Sequence, residues 1–428
     1  MKKNDDKINR RHFLRTAGVA GLGSVFASGK AGADANDPNV PDANSAQKPA
    51  APTMPQVPKR KLGRTGVEVP CLAMGGTVNL LDNQIMLQKA LEWGITYWDT
   101  SDSYEGGNSE LGIGKYIEKH PDMREKLFIV TKAFGTKTIE ETEVHLHTSL
   151  QKMHTSYVDL YFIMDREKSE HGLSDPAQLD DRLKKWVQFA KRRKLIKFFG
   201  FSTHKNMPEC LAAAANLDWI DAIMTSYNFR VMQDEKMQAA VEACNKAGIG
   251  LIAMKTQAQG QNIETDGDKK LCEHFLKRGF TPGQAKIKAV LEDRRISTVC
   301  SRMDNIAVMT ENAAAALDKT ELTSQDKEFL KRYAQATCSG YCSGCSRICE
   351  AALPDMQYVS EIMRYLMYYN SYGHQKQARE LFAQIPVSIK NRLLTIDYSA
   401  AEARCPQRMP IGKLMAEAVT KLAPSGQA

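Results

Sequence analysis

From residue 70 onward, short apolar runs rich in branched and aromatic residues alternate with longer segments whose apolar positions recur at helical spacing. The runs Cys71–Met74, Ile95–Trp98, Leu127–Thr131, Val158–Met164, Lys197–Ser202, Ala222–Tyr227, Ile249–Lys255 and Thr298–Arg302 read as eight strands. Between them, Asn83–Glu92, Ile139–Lys152, Pro176–Arg193, Asp234–Ala247 and Gln284–Glu292 read as helices. This rhythm predicts an α/β fold, a (β/α)8 TIM barrel whose site lies at the carboxyl ends of the strands. A doubly wound open sheet is the alternative, but no GxGxxG follows the first strand.

The first fifty-odd residues have a different character. Asn9 to Arg15 (NRRHFLR) precede a weakly apolar segment ending at Ala27, followed by the small-residue pattern Ala31-Gly32-Ala33. Residues 1–33 are similar to a twin-arginine export signal, a route that carries folded, cofactor-loaded proteins to the periplasm. Residues 34–58 hold mostly Pro, Ala, Asn and Asp and have little to bury, which predicts a flexible linker. The barrel is expected over 59–325 and a helical region over 326–428. No run of eighteen apolar residues occurs, so no permanent membrane span is expected.

Composition changes this picture in two places. At 428 residues, 43% hydrophobic and 25% charged, the chain is globular in kind. Its formal charge of +8 suggests nucleic acid, but residues 1–33 carry seven lysines and arginines against two aspartates. Only three of the eight positive charges remain for the rest, so no nucleic-acid partner is expected. The ten cysteines are uneven: Cys338, Cys342, Cys345 and Cys349 fall within twelve residues. That density argues for a local inorganic site.

Several ordered motifs carry a resemblance over roughly Lys59 to Leu322. They are Lys61 to Gly66 (KLGRTG), Met74-Gly75-Gly76, Trp98 to Tyr104 (WDTSDSY), Ser109 to Gly112 (SELG), Val130-Thr131-Lys132, Val158 to Tyr161 (VDLY), Gly200-Phe201-Ser202, Tyr227-Asn228 and Glu311-Asn312. In this order they resemble the aldo/keto reductase family. The resemblance implies an oxidoreductase in which Tyr104 protonates a carbonyl oxygen as NADPH delivers hydride, with Lys132 lowering the phenol pKa and Asp99 holding Lys132. It also implies NADP(H) contacts at Ser202, Lys255, Arg302, Glu311 and Asn312, with Arg302 against the 2′-phosphate.

The chain departs from the family at the substrate's second hydrogen-bond donor. Where a His is expected there is Met164, whose thioether cannot donate. Losing such a donor typically costs about 3 kcal/mol of transition-state stabilisation, roughly a hundredfold in rate. His204, just past another strand, is a candidate substitute, or else an ordinary loop residue. Met224 stands where the family grips the nicotinamide carboxamide and Met254 where an aromatic ring often stacks on it, and with Met164 they are expected to face one cavity.

The run Cys338-x3-Cys342-x2-Cys345-x3-Cys349 resembles the ligand run of a bacterial 4Fe-4S ferredoxin, with a longer first gap and Glu350 where Pro is expected. Zinc is the competing metal, and disulfides are a third reading. Asp397 to Pro406 look like the end of a second such motif in which only Cys405-Pro406 survives, since Thr395, Tyr398 and Ala401 stand at ligand positions. Cys405 is therefore the alternative to Cys338 as fourth ligand of one cluster. Met356 to Ile385, helical by period and rich in tyrosine, is expected to wrap the cysteine loop. Cys71, Cys210, Cys244, Cys272 and Cys300 read as apolar core residues.

Barrel, tail and signal together are similar to a small iron-sulfur subgroup of the family. They imply an exported oxidoreductase acting on a small carbonyl or alcohol, with NADP(H), one 4Fe-4S centre and a periplasmic redox partner. The alternative is a barrel that has lost hydride chemistry and serves as an electron-transfer or binding protein.

Overall fold

The computed structural model describes residues 54–164, 172–258 and 266–423. The export signal and residues 34–53 of the expected linker lie outside the described residues. From Met54 onward the chain forms one compact unit.

A short hairpin, β1 (Lys59–Lys61) and β2 (Glu68–Pro70), comes first, and periodicity did not foretell it. Eight parallel strands follow: β3 (Leu72–Gly75), β4 (Tyr97–Asp99), β5 (Phe128–Lys132), β6 (Val158–Ile163), β7 (Ile196–Thr203), β8 (Ala222–Ser226), β9 (Gly250–Met254) and β10 (Ile296–Arg302). They pair in sequence order and β10 closes onto β3, so the barrel is complete. Its interior is filled by side chains such as Tyr97, Phe128, Val130, Phe162, Met224 and Ile252, with Leu62 and Val69 of the hairpin region packed into the same cluster. A filled interior leaves the strand ends as the place for a site.

Each expected strand is present within two residues of its predicted ends. The helices differ in one instructive way: Pro176–Arg193 is not one helix but a turn at Pro176–Gln178 followed by a helix at Asp181–Arg192. Asp180 is extended, and its carboxylate accepts from Leu183 N, so it caps a new helix instead of continuing the old turn. Thr138, Asp234, Thr281 and Asn305 cap the helices that follow them by the same chemistry.

Beyond Leu317 the chain is helical, with segments at Ser324–Ala336, Val359–Ser371, Gln375–Ala383, Ser399–Arg404 and Ile411–Leu422. The last four share an apolar core around Met356, Ile362, Leu366, Phe382 and Met415. The expected helical stretch Met356–Ile385 is split after Ser371, where Gly373 takes a left-handed φ of 69°.

This tail is anchored on the carboxyl ends of the barrel strands. Lys205, just after β7, is fully buried and forms an ion pair with the equally buried Glu361 of the tail. Asn206 N donates to Gly344 O at 3.0 Å, and Asn206 Oδ1 accepts from Arg347 N at 3.2 Å. Asn228 Nδ2, after β8, donates to Tyr341 OH at 3.0 Å. Gly344 has φ of 77°, and a Cβ there would lie 2.2 Å from His204 O. Only glycine permits this approach.

Candidate active site

Asp99 is the last residue of β4 and Lys132 the last of β5, so parallel register brings their side chains to the same end of the barrel. Lys132 Nζ donates to Asp99 Oδ1 at 2.6 Å and to Thr100 O at 2.8 Å, and both side chains are almost wholly buried. Tyr104 opens a short turn beyond β4, with Tyr104 N bonded to Ser101 O at 3.2 Å. Its ring centroid lies 4.9 Å from Lys132 Nζ. The loop is pinned by Asp102, whose carboxylate accepts from Phe134 N at 3.1 Å and bonds His145 Nδ1 at 2.5 Å.

Burial disfavours the Lys132 ammonium, but Asp99 and Tyr104 more than offset this, and its pKa is raised. Burial likewise pushes the Asp99 carboxyl up, against the pull of Lys132. Tyr104 differs from the expectation of a lowered phenol: burial pushes it up to about 12, with Lys132 acting in the expected direction but not dominating. The phenol is therefore a proton carrier at neutral pH, held next to a fixed positive charge.

An open cavity spans this trio. Asp99, Tyr104, Lys132, Ser202, Lys255, Arg302, Glu311 and Asn312 all line it, so the candidate catalytic and nucleotide residues named from the sequence converge on one space. Ser202 Oγ, Asp99 Oδ2 and Arg302 Nε are buried there without hydrogen-bond partners among the described residues. Asn312 Nδ2 donates to Ser301 Oγ at 3.1 Å. Met224 and Met254 line the cavity as expected, but Met164, although buried, does not. It lies one residue beyond the end of β6. His204 does line the cavity, its Nδ1 2.9 Å from Ser226 Oγ.

Sequence reasoning missed the contribution of the tail. Tyr368, Ser371, Tyr372, His374 and Gln377 also line the cavity. Lys255 Nζ sits over the rings of Tyr368 and Tyr372, at 4.9 and 4.7 Å from their centroids. Arg302 Nη1 is hydrogen-bonded to His374 Nε2, and its Nη2 lies 3.4 Å from Asp304 Oδ2. The tyrosine spacing was legible as helical, but nothing local says which neighbour a helix faces.

A second, small cavity lies in the tail and is lined by Cys342, Cys345, Cys349 and Cys405 together with apolar side chains such as Ile348, Val359 and Met409. Cys338 does not line it: it sits in a short turn, Cys338–Gly340. Burial raises the thiol pKa values of Cys342, Cys345 and Cys349. Among the described residues, no three His, Cys, Asp or Glu side chains converge closely enough to hold a single metal ion. A third, small cavity separates the two: it shares Cys342, Ser343, Ser360 and Met363 with the cysteine cavity and His204 and Lys255 with the barrel mouth. Met356–Ile385 thus does more than wrap the cysteine loop, since its second half roofs the barrel.

Among known proteins, the chain is 25% identical over 245 residues to a probable aldo-keto reductase 1 of Glycine max, covering 50% of this chain and 66% of that protein. It is 28% identical over 201 residues to an aldo-keto reductase of Gibberella moniliformis, covering 45% of this chain and 57% of that one. The chain thus spans somewhat less than two-thirds of each relative. The fold matches an aldo-keto reductase of Klebsiella pneumoniae solved in complex with NADPH (TM-score 0.53, 17% identity, 64% of this chain and 95% of that one). It also matches the holo form of one from Bacillus halodurans (TM-score 0.53, 18% identity, 65% and 96%). The sequence profile of the aldo/keto reductase family matches residues 73–327, more than half the chain and all eight barrel strands but the first residue of β3. With that match and this strand-end geometry together, the chain belongs to the aldo/keto reductase family.

Proposed function

We propose that this chain is an exported oxidoreductase that interconverts a small carbonyl and its alcohol, with Tyr104 as proton donor and a nicotinamide dinucleotide as hydride carrier. The observation that carries this reading is the buried Lys132 held between Asp99 and Tyr104 on the wall of a large cavity. The fit of the nucleotide rests on Ser202 Oγ, buried and unpartnered beside the catalytic trio, which is suited to a carboxamide. Bound there, a reduced nicotinamide would supply hydride to the carbonyl carbon. Tyr104 gives its phenolic proton to the carbonyl oxygen, and the fixed ammonium of Lys132 stabilises the phenolate left behind. Asp99 keeps Lys132 charged and in place. Met164 supplies no second donor; His204, on the same cavity wall, is the imidazole available to the substrate oxygen. NADP(H) is the carrier the resemblance implies and the Klebsiella relative binds NADPH, but support here lies at the nicotinamide end, because Arg302 already holds Asp304 and His374.

The cysteine cavity supports one 4Fe-4S centre with Cys342, Cys345, Cys349 and Cys405 as ligands, Cys405 taking the place expected of Cys338. Four thiols around an enclosed apolar space suit a cluster better than one tetrahedral ion. Such a centre supplies single electrons, and the shared walls of the three cavities bring it near the barrel mouth. Export by the twin-arginine route, inferred from Arg10 and Arg11, accords with a cluster inserted before translocation. The second reading is a periplasmic electron-transfer or binding protein, favoured by the loss of the donor at Met164.

Anaerobic purification of the full chain decides between them. A brown protein that releases a nicotinamide nucleotide supports the enzyme. A cluster with an empty barrel supports the electron-transfer reading, and a colourless zinc protein rejects the iron-sulfur assignment.

A further inference from the structure

Two cations expected to contact the nucleotide, Lys255 and Arg302, the latter at its 2′-phosphate, are both engaged by other parts of this chain. The Arg302 guanidinium has Asp304 on one nitrogen and His374 on another. His374 Nδ1 is 3.1 Å from Gln377 Oε1, which fixes the proton on Nδ1 and leaves Nε2 as the acceptor facing Arg302. Burial and the adjacent Arg302 and Lys255 hold His374 down to about 4, so it is a neutral acceptor at pH 7. Two of the three guanidinium nitrogens thus have acceptors, one of them a carboxylate that lines the same cavity. Nε is buried and unpartnered, and a ligand would otherwise have to share the terminal nitrogens with these two acceptors.

A 2′-phosphate arriving at Arg302 would have to compete with His374 for the guanidinium and lie against Asp304, a like charge. A ribose 2′-hydroxyl meets neither obstacle, because a hydroxyl donates to a carboxylate and accepts from an N–H. We infer that Asp304 and His374 are specificity-determining residues of the barrel-mouth site, and that they turn Arg302 from a 2′-phosphate holder into a support for the unphosphorylated ribose of NAD(H). The helical tail then selects the nucleotide, since His374 lies 72 residues beyond Arg302 in the chain. This rests on the nucleotide reading proposed above and names its class.

Fluorescence titration of the full-length, cluster-loaded protein with NADH and with NADPH tests it. The wild type is expected to bind NADH at least as tightly as NADPH. Asp304→Asn, at a half-exposed position where folding is not at stake, and Asp304→Asn with His374→Ala should each shift the ratio of dissociation constants toward NADPH, the double variant by tenfold or more. A wild-type preference for NADPH, or a ratio that neither variant moves, overturns the inference while leaving the nucleotide reading standing. Failure of both nucleotides to bind wild type and variants alike overturns that reading and this inference with it.

Discussion

Replacing Lys132 with Met keeps the length and apolar volume of the side chain but removes the charge from the centre of the site. In the native protein Asp99 Oδ1 is 2.6 Å from Lys132 Nζ, while Oδ2 has no partner among the described residues. The variant therefore leaves a buried carboxylate without its ammonium, with only the weak thiol donor of Cys300 nearby. Breaking a buried pair from one side costs about 3–5 kcal/mol, and the position is as enclosed as any in the barrel. The cost has a pH signature. Burial already raises the Asp99 pKa, and loss of Lys132 raises it further. A carboxyl whose folded pKa lies above its unfolded value takes up a proton on folding, so the penalty grows as pH rises through that interval. Guanidinium melts at pH 7 should show the full loss for Lys132→Met, with a smaller loss at pH 5. Adding Asp99→Asn should recover at least about 1 kcal/mol, because the two residues are coupled. A loss below about 1 kcal/mol at pH 7, or costs that simply add, would refute the ion-pair account of the site.

Three further predictions follow from the tail. Cys405→Ala should reduce bound iron and sulfide to a small fraction of the wild-type content while Cys338→Ala keeps it, as measured by metal analysis and absorbance; the opposite pattern would restore Cys338 as ligand. Gly344→Ala, at φ 77° and with 2.2 Å of clearance to His204 O, should cost about 2 kcal/mol or more and raise hydrogen exchange across 341–349, and wild-type protection there would contradict the docking described. His374, held to about 4 against an ordinary 6.5, contributes stability that is complete above pH 6.5 and is lost as pH falls toward 4. Allowing for its partial exposure this amounts to about 1–2 kcal/mol, and His374→Gln should flatten stability across that window.

What the sequence disclosed and what it withheld divide along physical lines. The strands were legible because each is a short, mostly buried run rich in apolar residues, and parallel order then set which residues share the barrel mouth. Asp99, Lys132 and Ser202 sit at or next to strand ends, where a motif and its place in space are nearly the same information. Met164 fails that rule: one residue past β6, it is buried but does not line the cavity. Cys405 lies far along the chain from Cys342, and its place on the same cavity depends on how Ser399–Arg404 packs, which no local spacing encodes. The same holds for Tyr372 and His374. Their period marks a helix and its end, but it takes tertiary contacts such as the buried Lys205–Glu361 pair and those of Asn206 with Gly344 and Arg347 to hold that helix against the barrel.

The most direct test of the central claim is single-turnover reduction of a panel of small aldehydes and ketones by wild type and Tyr104→Phe, at equal cluster content and saturating reduced nucleotide. A phenol at about 12 stays protonated from pH 6 to 9, so the wild-type rate should be flat there. Tyr104→Phe should lower it by about 10²–10⁴-fold without weakening nucleotide binding. Equal rates in the two proteins would show that Tyr104 is not the proton donor.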